Sequence, residues 1–217
     1  MSTAPQHQAY ENAWRDSITE PESFWSQASR AVDWFSPPGQ AWDADHGWFA
    51  GGVLNTCHNC LDRHVAAGGG DAAALIYDSP VTQTARRVSY AEPLDEVGRG
   101  AAMLGRLGLG KGDRAVIYMP MIPETVFAIL ACARLGAVHS VVFGGFAPLE
   151  LAKRIDDATP KVVLTASCGI EGARTIAYKP MVDEALRLSS HDVTHVVLLQ
   201  REQLTAEMQA PRDLDWQ

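Results

Sequence analysis

The chain has 217 residues, of which 47% are hydrophobic, with 26 acidic against 18 basic side chains and a net charge of −8. That length and apolar content are enough for a buried core and exclude wholesale disorder. The acidic balance excludes a protein that coats nucleic acid, which needs clustered Lys and Arg against phosphate, but it leaves room for a nucleotide-sized ligand in a local positive pocket.

In chain order, residues 1–8 are mostly polar and carry no apolar centre of a signal peptide. No later apolar run reaches the roughly 20 residues of a membrane span before Pro, Gly or a charge interrupts it. A soluble, cytoplasmic protein with no membrane partner is expected. Residues 1–70 are rich in Trp and turn signals, with Trp14, Trp25, Trp34, Trp42 and Trp48 around Pro37-Pro38-Gly39. A helix is expected over residues 20–32, capped by Thr19 with Glu22 closing a capping box, and with Phe24, Ala28 and Val32 on one face. A second is expected over residues 55–66, with Leu54, Cys57, Leu61 and Val65 on one side, ended by Gly68-Gly69-Gly70.

Residues 71–217 alternate between strand and helix patterns. Short strands are expected at 74–77 and 87–90. A helix follows with Leu94, Val97, Ala101 and Leu104 on one face, stopped by the turn at 108–112. Then come a strand at 114–119, a helix at 122–135 with Pro123 in its first turn, and a strand at 138–143. A helix at 148–158, a strand at 161–165, a helix at 180–188 and a strand at 195–199 complete the series. The strands are unbroken apolar runs, such as Val162-Val163-Leu164, so both faces of each are expected to be buried. Strands joined by helices imply a mainly parallel α/β sheet with helices on both faces. Ligands of such sheets sit beyond the carboxyl ends of the strands, which singles out the loops after Met119, Phe143 and Thr165.

The loop after Phe143 reads Gly144-Gly145-Phe146. Its glycines permit close backbone approach to a ligand, and the helix start beyond offers N–H groups to an anion. On spacing alone a tight turn that needs glycine for its geometry is the simpler reading. The loop over residues 166–174 ends in Arg174, a planar cation suited to phosphate, although most arginines are merely solvated. Cys57 and Cys60 form a lone C-x-x-C with His58 and His64 nearby. No second ligand pair follows at a zinc-like distance, so both cysteines read as buried apolar groups and no metal is assigned. The glycine run at 105–112 follows a helix and precedes a strand, the reverse of a phosphate loop. His139 leads a strand and reads as structural. Pro120-Met121-Ile122-Pro123 lacks the glycines of a dinucleotide fingerprint, which counts against an oxidoreductase. A non-catalytic binding module on the same fold stays open. The residues alone name no reaction.

These residues lie within a longer resemblance. Residues 118–124 (Tyr-Met-Pro-Met-Ile-Pro-Glu) and 130–146, ending Val141-Val142-Phe143-Gly144-Gly145-Phe146, resemble the acetyl-CoA and propionyl-CoA synthetases of the adenylate-forming superfamily. So do Asn55, Cys57, Asn59, Asp62, Arg63 and His64 upstream, and the Phe24-Trp25 segment; the match runs over residues 10–216. Residues 167–171 followed by Tyr178-Lys179-Pro180 look more like the propionyl-CoA enzymes. The resemblance implies an ATP-dependent ligase that joins a short carboxylate, propionate before acetate, to CoA through an acyl-adenylate with Mg²⁺. Its partners would be small molecules only. It implies CoA contacts at Phe143, Gly144, Gly145 and Arg174. Glu171 neighbours them where acetyl-CoA synthetases typically carry a second arginine. It further implies that residues 1–70 are an amino-terminal segment of that family and residues 71–217 the first part of the large AMP-binding domain. The Thr/Ser/Gly-rich ATP loop and the carboxy-terminal lysine of the family are not in this sequence, so the chain is expected to be an amino-terminal portion that forms no adenylate by itself.

Overall fold

The computed structural model describes residues 4–216. The chain forms two compact units, Met1–Asn59 and Cys60–Gln217. In the first, helices α1 (Ala4–Thr19) and α2 (Pro21–Ala28) precede a short antiparallel pair, β1 (Trp42–Asp43) and β2 (Gly47–Trp48), in which Trp42 faces Trp48. Phe24, Trp25, Trp48 and Trp42 form an edge-to-face chain with ring centroids 5.0–5.7 Å apart, the geometry that aromatic quadrupoles favour. Helix α1 was not expected, and the helix expected over 20–32 breaks at Ala28 into a tight turn, Ser29–Ala31. The capping box does not form. The Thr19 hydroxyl donates back to the Arg15 carbonyl (3.1 Å), as suits the end of α1. Glu22 instead accepts the backbone N–H groups of Ala41 (2.8 Å) and Trp42 (3.1 Å). These bonds, that of Ala41 first, hold its carboxyl below the ordinary range. Residues 56–69 are helical, with wide π-type turns at His58–Asp62 and Val65–Gly69.

The second unit opens with an antiparallel hairpin, β3 (Ala73–Ser79) and β4 (Thr84–Ser89), and helix α3 (Ala91–Arg106). There follow β5 (Arg114–Met119), α4 (Pro123–Leu135), β6 (Val138–Phe143), α5 (Pro148–Ala158) and β7 (Val162–Ala166). Then come β8 (Cys168–Glu171), β9 (Arg174–Ala177), α6 (Tyr178–Leu188), β10 (His195–Leu199) and β11 (Asp213–Asp215). Proline at the first turn of α4 and of α5 sets the helical φ where no N–H is needed, and Gly136 in the left-handed region (φ 69°) closes α4.

Five strands form one wholly parallel sheet in the order β11-β10-β7-β5-β6. The expected parallel sheet with helices on both faces is therefore what the chain adopts. The chain steps from β5 to β6 in one direction and then back past β5 to β7. Right-handed crossovers therefore put α4 on one face and α5 and α6 on the other. On the α5/α6 face Val116, Tyr118, Val142, Val163 and Val196 meet Leu151, Ile155, Val182 and Ala185, all fully or almost fully buried. The alternate residues Ala115, Ile117 and Leu164 point to the opposite face, where α3 and α4 pair with each other.

Two expectations need correction. β6 is not buried on both faces: it is the sheet edge, with Val141 51% and Phe143 70% exposed. A strand with one neighbour can carry the same apolar letters as a central one. The segment over 166–174, expected as a loop, is largely the hairpin β8–β9, turned at Gly172 (φ 58°), with Glu171 opposite Arg174. Among the described residues no helix is long and apolar enough to cross a membrane.

Candidate functional site

Where a doubly wound sheet reverses its winding, the loops leaving the adjacent strands diverge and open a crevice at their carboxyl ends. Here the reversal lies between β5 and β7. A cleft of about 350 Å³ occupies that end of the sheet. Its floor is Met119, Pro120 and Ile122, leaving β5. One wall is Val141, Phe143 and Gly144 of the β6 edge, and the other is Ile170, Glu171, Tyr178 and Arg201. The turn of the β3–β4 hairpin, Pro80 to Thr82, closes it from above. A larger cleft, about 970 Å³, runs along α6 against the segment over 204–212. It is not at the strand ends, and its Lys179, Asp183 and Arg212 are already engaged with one another or with Asp213.

Two tyrosines build the site. The Tyr118 hydroxyl, from the middle of the sheet, donates to the Phe146 carbonyl (3.0 Å) and accepts the Gly145 N–H (3.1 Å). The Phe146 N–H goes to the Phe143 carbonyl (3.2 Å). Two N–H groups of the glycine loop are thus occupied within the protein. Tyr178, 3% exposed and packed against Tyr118 with ring centroids 4.9 Å apart and planes tilted by 40°, fits between two glycines. A Cβ on Gly144 would lie 2.4 Å from its hydroxyl oxygen, and one on Gly169 would lie 2.3 Å from it. Gly145 has φ +97°, and a Cβ there would meet a Glu171 carboxylate oxygen at 2.7 Å. The close backbone approach that these glycines permit is therefore to Tyr178 and Glu171.

Burial pushes the Tyr178 hydroxyl up to about 12; Tyr118 and Glu171 add to this and Arg201 opposes it. Burial also raises Tyr118, with the Gly145 N–H opposing. Both phenols stay neutral; the Tyr118 hydroxyl is a hydrogen-bonding strut, and the Tyr178 ring fills the space between the two glycines. Tyr118→Phe is expected to leave the Gly145 N–H without its acceptor, at a cost of about 1–3 kcal/mol. Urea unfolding and faster hydrogen exchange of the Gly145 amide would register it; an unchanged amide would show that the strut is not used.

The candidate residues are only partly brought together. Phe143, Gly144 and Glu171 line the cleft, and Gly145 lies against Glu171. Arg174 is exposed at the hairpin tip and is not part of the lining. Tyr118, Tyr178 and Arg201 were not singled out from the sequence. Arg201 follows the end of β10, which is not among the three strand ends that the sequence singles out. His139 is half-buried, and burial lowers its imidazole pKa. Cys57 is buried but Cys60 is exposed, which corrects the reading of both as core groups. Among the described residues no three His, Cys, Asp or Glu side chains gather as a metal site.

Residues 61–216 match the family of AMP-binding enzymes, and residues 10–60 match the acetyl-coenzyme A synthetase N-terminus. The chain belongs to the AMP-binding enzyme family. It is 57% identical over 205 residues to an uncharacterized protein of Pseudomonas aeruginosa, covering 93% of this chain and 33% of that protein. It is 46% identical over 212 residues to the human acyl-CoA synthetase short-chain family member 3, mitochondrial, covering 95% of this chain and 31% of that one. Among solved structures, the acetoacetyl-CoA synthetase from Streptomyces lividans superposes with a TM-score of 0.81 at 26% identity, over 93% of this chain and 31% of that one. The chain thus spans about a third of the length of the relatives it matches.

Proposed function

We propose that the chain serves, within a protein of its relatives' length, as the amino-terminal part of an ATP-dependent ligase that converts a short-chain carboxylate, propionate before acetate, to acyl-CoA. The carboxylate would attack the α-phosphate of ATP, giving an acyl-adenylate and pyrophosphate, and the CoA thiol would then displace AMP. The observation that carries this reading is the unbroken succession of the two family matches, the acetyl-coenzyme A synthetase N-terminus and the AMP-binding enzyme, over residues 10–216. The preference for propionate rests on residues 167–171 and Tyr178-Lys179-Pro180.

CoA is assigned to the cleft at the sheet's carboxyl end, with Phe143 and Gly144 on its lining, Gly145 next in the chain against Glu171, and Arg174 reaching the ligand from the exposed hairpin tip. The donors present fit such a ligand: apolar walls for a slender stem and a guanidinium for phosphate. ATP and Mg²⁺ are assigned to the longer protein, with no contact drawn here. We place the activity in the cytoplasm and assign it small-molecule substrates only.

The test is pyrophosphate exchange into ATP on a protein of that length carrying this chain, with propionate and acetate in parallel, followed by CoA-dependent release of AMP. Propionate is expected to support the faster exchange, and the 217-residue chain alone is expected to support none. A folded long protein that exchanges with neither acid would end the proposal, and faster exchange with acetate would reassign the substrate.

A further inference from the structure

We infer that Arg201 is the anion-binding residue inside the cleft and receives a phosphoryl group of the ligand. The inference rests on the reading of the cleft as a CoA site. It adds a contact to the residues named above, because Arg174 is exposed at the hairpin tip and outside the lining while Arg201 is on the lining.

Three observations place it. Its backbone is pinned: the Arg201 N–H donates to the Ser167 hydroxyl (2.9 Å), and Ser167 is fully buried at the end of β7. Its side chain is aimed: one terminal nitrogen, Nη1, donates to the Cys168 carbonyl at the start of β8 (3.0 Å). A guanidinium carries five N–H donors in a fixed fork, so this one bond orients the group and leaves donors for a ligand. Its charge is uncommitted, because no carboxylate among the described residues pairs with it, whereas Arg134, Arg187 and Arg212 each meet at least one.

The surroundings decide which kind of anion it takes. Phe143, Met119 and Ile170 give apolar walls beside the half-buried guanidinium, and a charge contact is stronger there than in open water. Glu171 is on the same lining as Arg201 and Tyr178, so the cleft presents one charge of each sign. A ligand that is anionic throughout is repelled at the Glu171 side. One with a phosphoryl group at one end and hydrogen-bond donors along an apolar stem satisfies both. Bidentate geometry favours arginine over lysine for that phosphoryl group.

The experiment measures CoA and pantetheine binding calorimetrically on the protein at its natural length, for wild type, Arg201→Met and Arg201→Lys. Pantetheine keeps the stem and lacks every phosphoryl group. Arg201→Met is expected to weaken CoA about tenfold or more, the scale of one lost charge-assisted contact, and to leave pantetheine within about twofold. Arg201→Lys should recover part of the loss. Equal losses for CoA and pantetheine would mean that Arg201 only holds the hairpin, and would overturn the inference. So would a methionine variant that binds CoA as wild type does. A wild type that exchanges pyrophosphate but binds no CoA would remove the assignment of CoA to the cleft and this inference with it, while leaving adenylate formation standing.

Discussion

Lys179→Met is expected to destabilise the chain by about 3–5 kcal/mol, because it strips the partner from a buried carboxylate. The Lys179 side chain is 2% exposed and bonds Asp183 (2.6 Å) and Asp213 (2.8 Å), and the Asp213 side chain is fully buried. Arg212 meets the same two acids, at 2.6 and 2.7 Å, so it retains part of the compensation and holds the cost toward the lower end. The network ties α6 to β11, whose three residues Asp213, Leu214 and Asp215 have little apolar surface of their own with which to join the sheet. Urea unfolding of wild type, Lys179→Met, Asp213→Asn and the double variant would measure the coupling. The double variant is expected to cost clearly less than the sum of the two singles. A Lys179→Met protein within about 0.5 kcal/mol of wild type would show that the lysine is not what holds β11. The pH dependence has a definite sign. Burial alone would raise the Asp213 carboxyl, but bonds from Arg212, Lys179 and the Gln209 N–H outweigh it, so its folded pKa lies below the ordinary 3.8. The stability from this group is therefore present above about pH 3.8 and lost as pH falls through the lower folded value. Asp213→Asn should flatten that part of the acid limb.

The same contrast between apolar and polar signals explains which parts of the fold were legible in the sequence. β5, β6, α5 and β10 have the expected bounds because apolar runs set the strands and Pro148 marks a helix start. β11 was not legible, since three residues with one apolar side chain in the middle make no pattern and an ion network holds them. Helix α1 carries only the spaced stripe Tyr10, Trp14 and Ile18, each more than half exposed, among polar neighbours. The β8–β9 hairpin read as loop because Gly169 and Gly172 are loop residues by propensity. The exposure of β6 is a matter of sheet order, and order is set by crossovers that no single strand encodes.

The site divides along the same line. Position along a strand was readable, so the ends of β5 and β6 pointed to residues that line the cleft. What the glycines admit was not, because the partner of Gly144 is Tyr178, 34 residues further on and inside a helix that carries other signals. Tyr118 looked like one more apolar letter of a central strand. Its hydroxyl matters only because the chain after β6 turns back over it. The sequence offers Arg174, on the glycine-rich segment, as the cation, although the rule that selects the other loops applies equally to the end of β10 and to Arg201.

The glycine readings make a second large prediction, in which the two positions differ. Neither Gly144 nor Gly169 has a positive φ, so alanine at either meets only a steric penalty, and in both cases the obstacle is Tyr178. At Gly169 a Cβ would lie 2.3 Å from the hydroxyl oxygen and 2.4 and 2.6 Å from ring carbons; at Gly144 the corresponding distances are 2.4, 3.0 and 2.9 Å. The ring cannot swing away, because it is buried and packed against Tyr118. Gly169→Ala is therefore expected to cost about 3 kcal/mol, the upper end for overpacking, and Gly144→Ala roughly 1–2 kcal/mol. Tyr178→Phe removes the oxygen and leaves the ring carbons. At Gly144 this relieves the worst contact and leaves two tight but adjustable ones, so the Gly144→Ala, Tyr178→Phe double variant should regain most of the loss. At Gly169 the carbons still overlap, so the corresponding double variant should regain little. Thermal unfolding of the five variants against wild type measures both couplings. Equal rescue at the two positions would mean that the phenol oxygen alone governs the contact, and a Gly169→Ala protein as stable as wild type would mean that the hairpin moves aside freely and that Tyr178 does not fix the wall of the cleft.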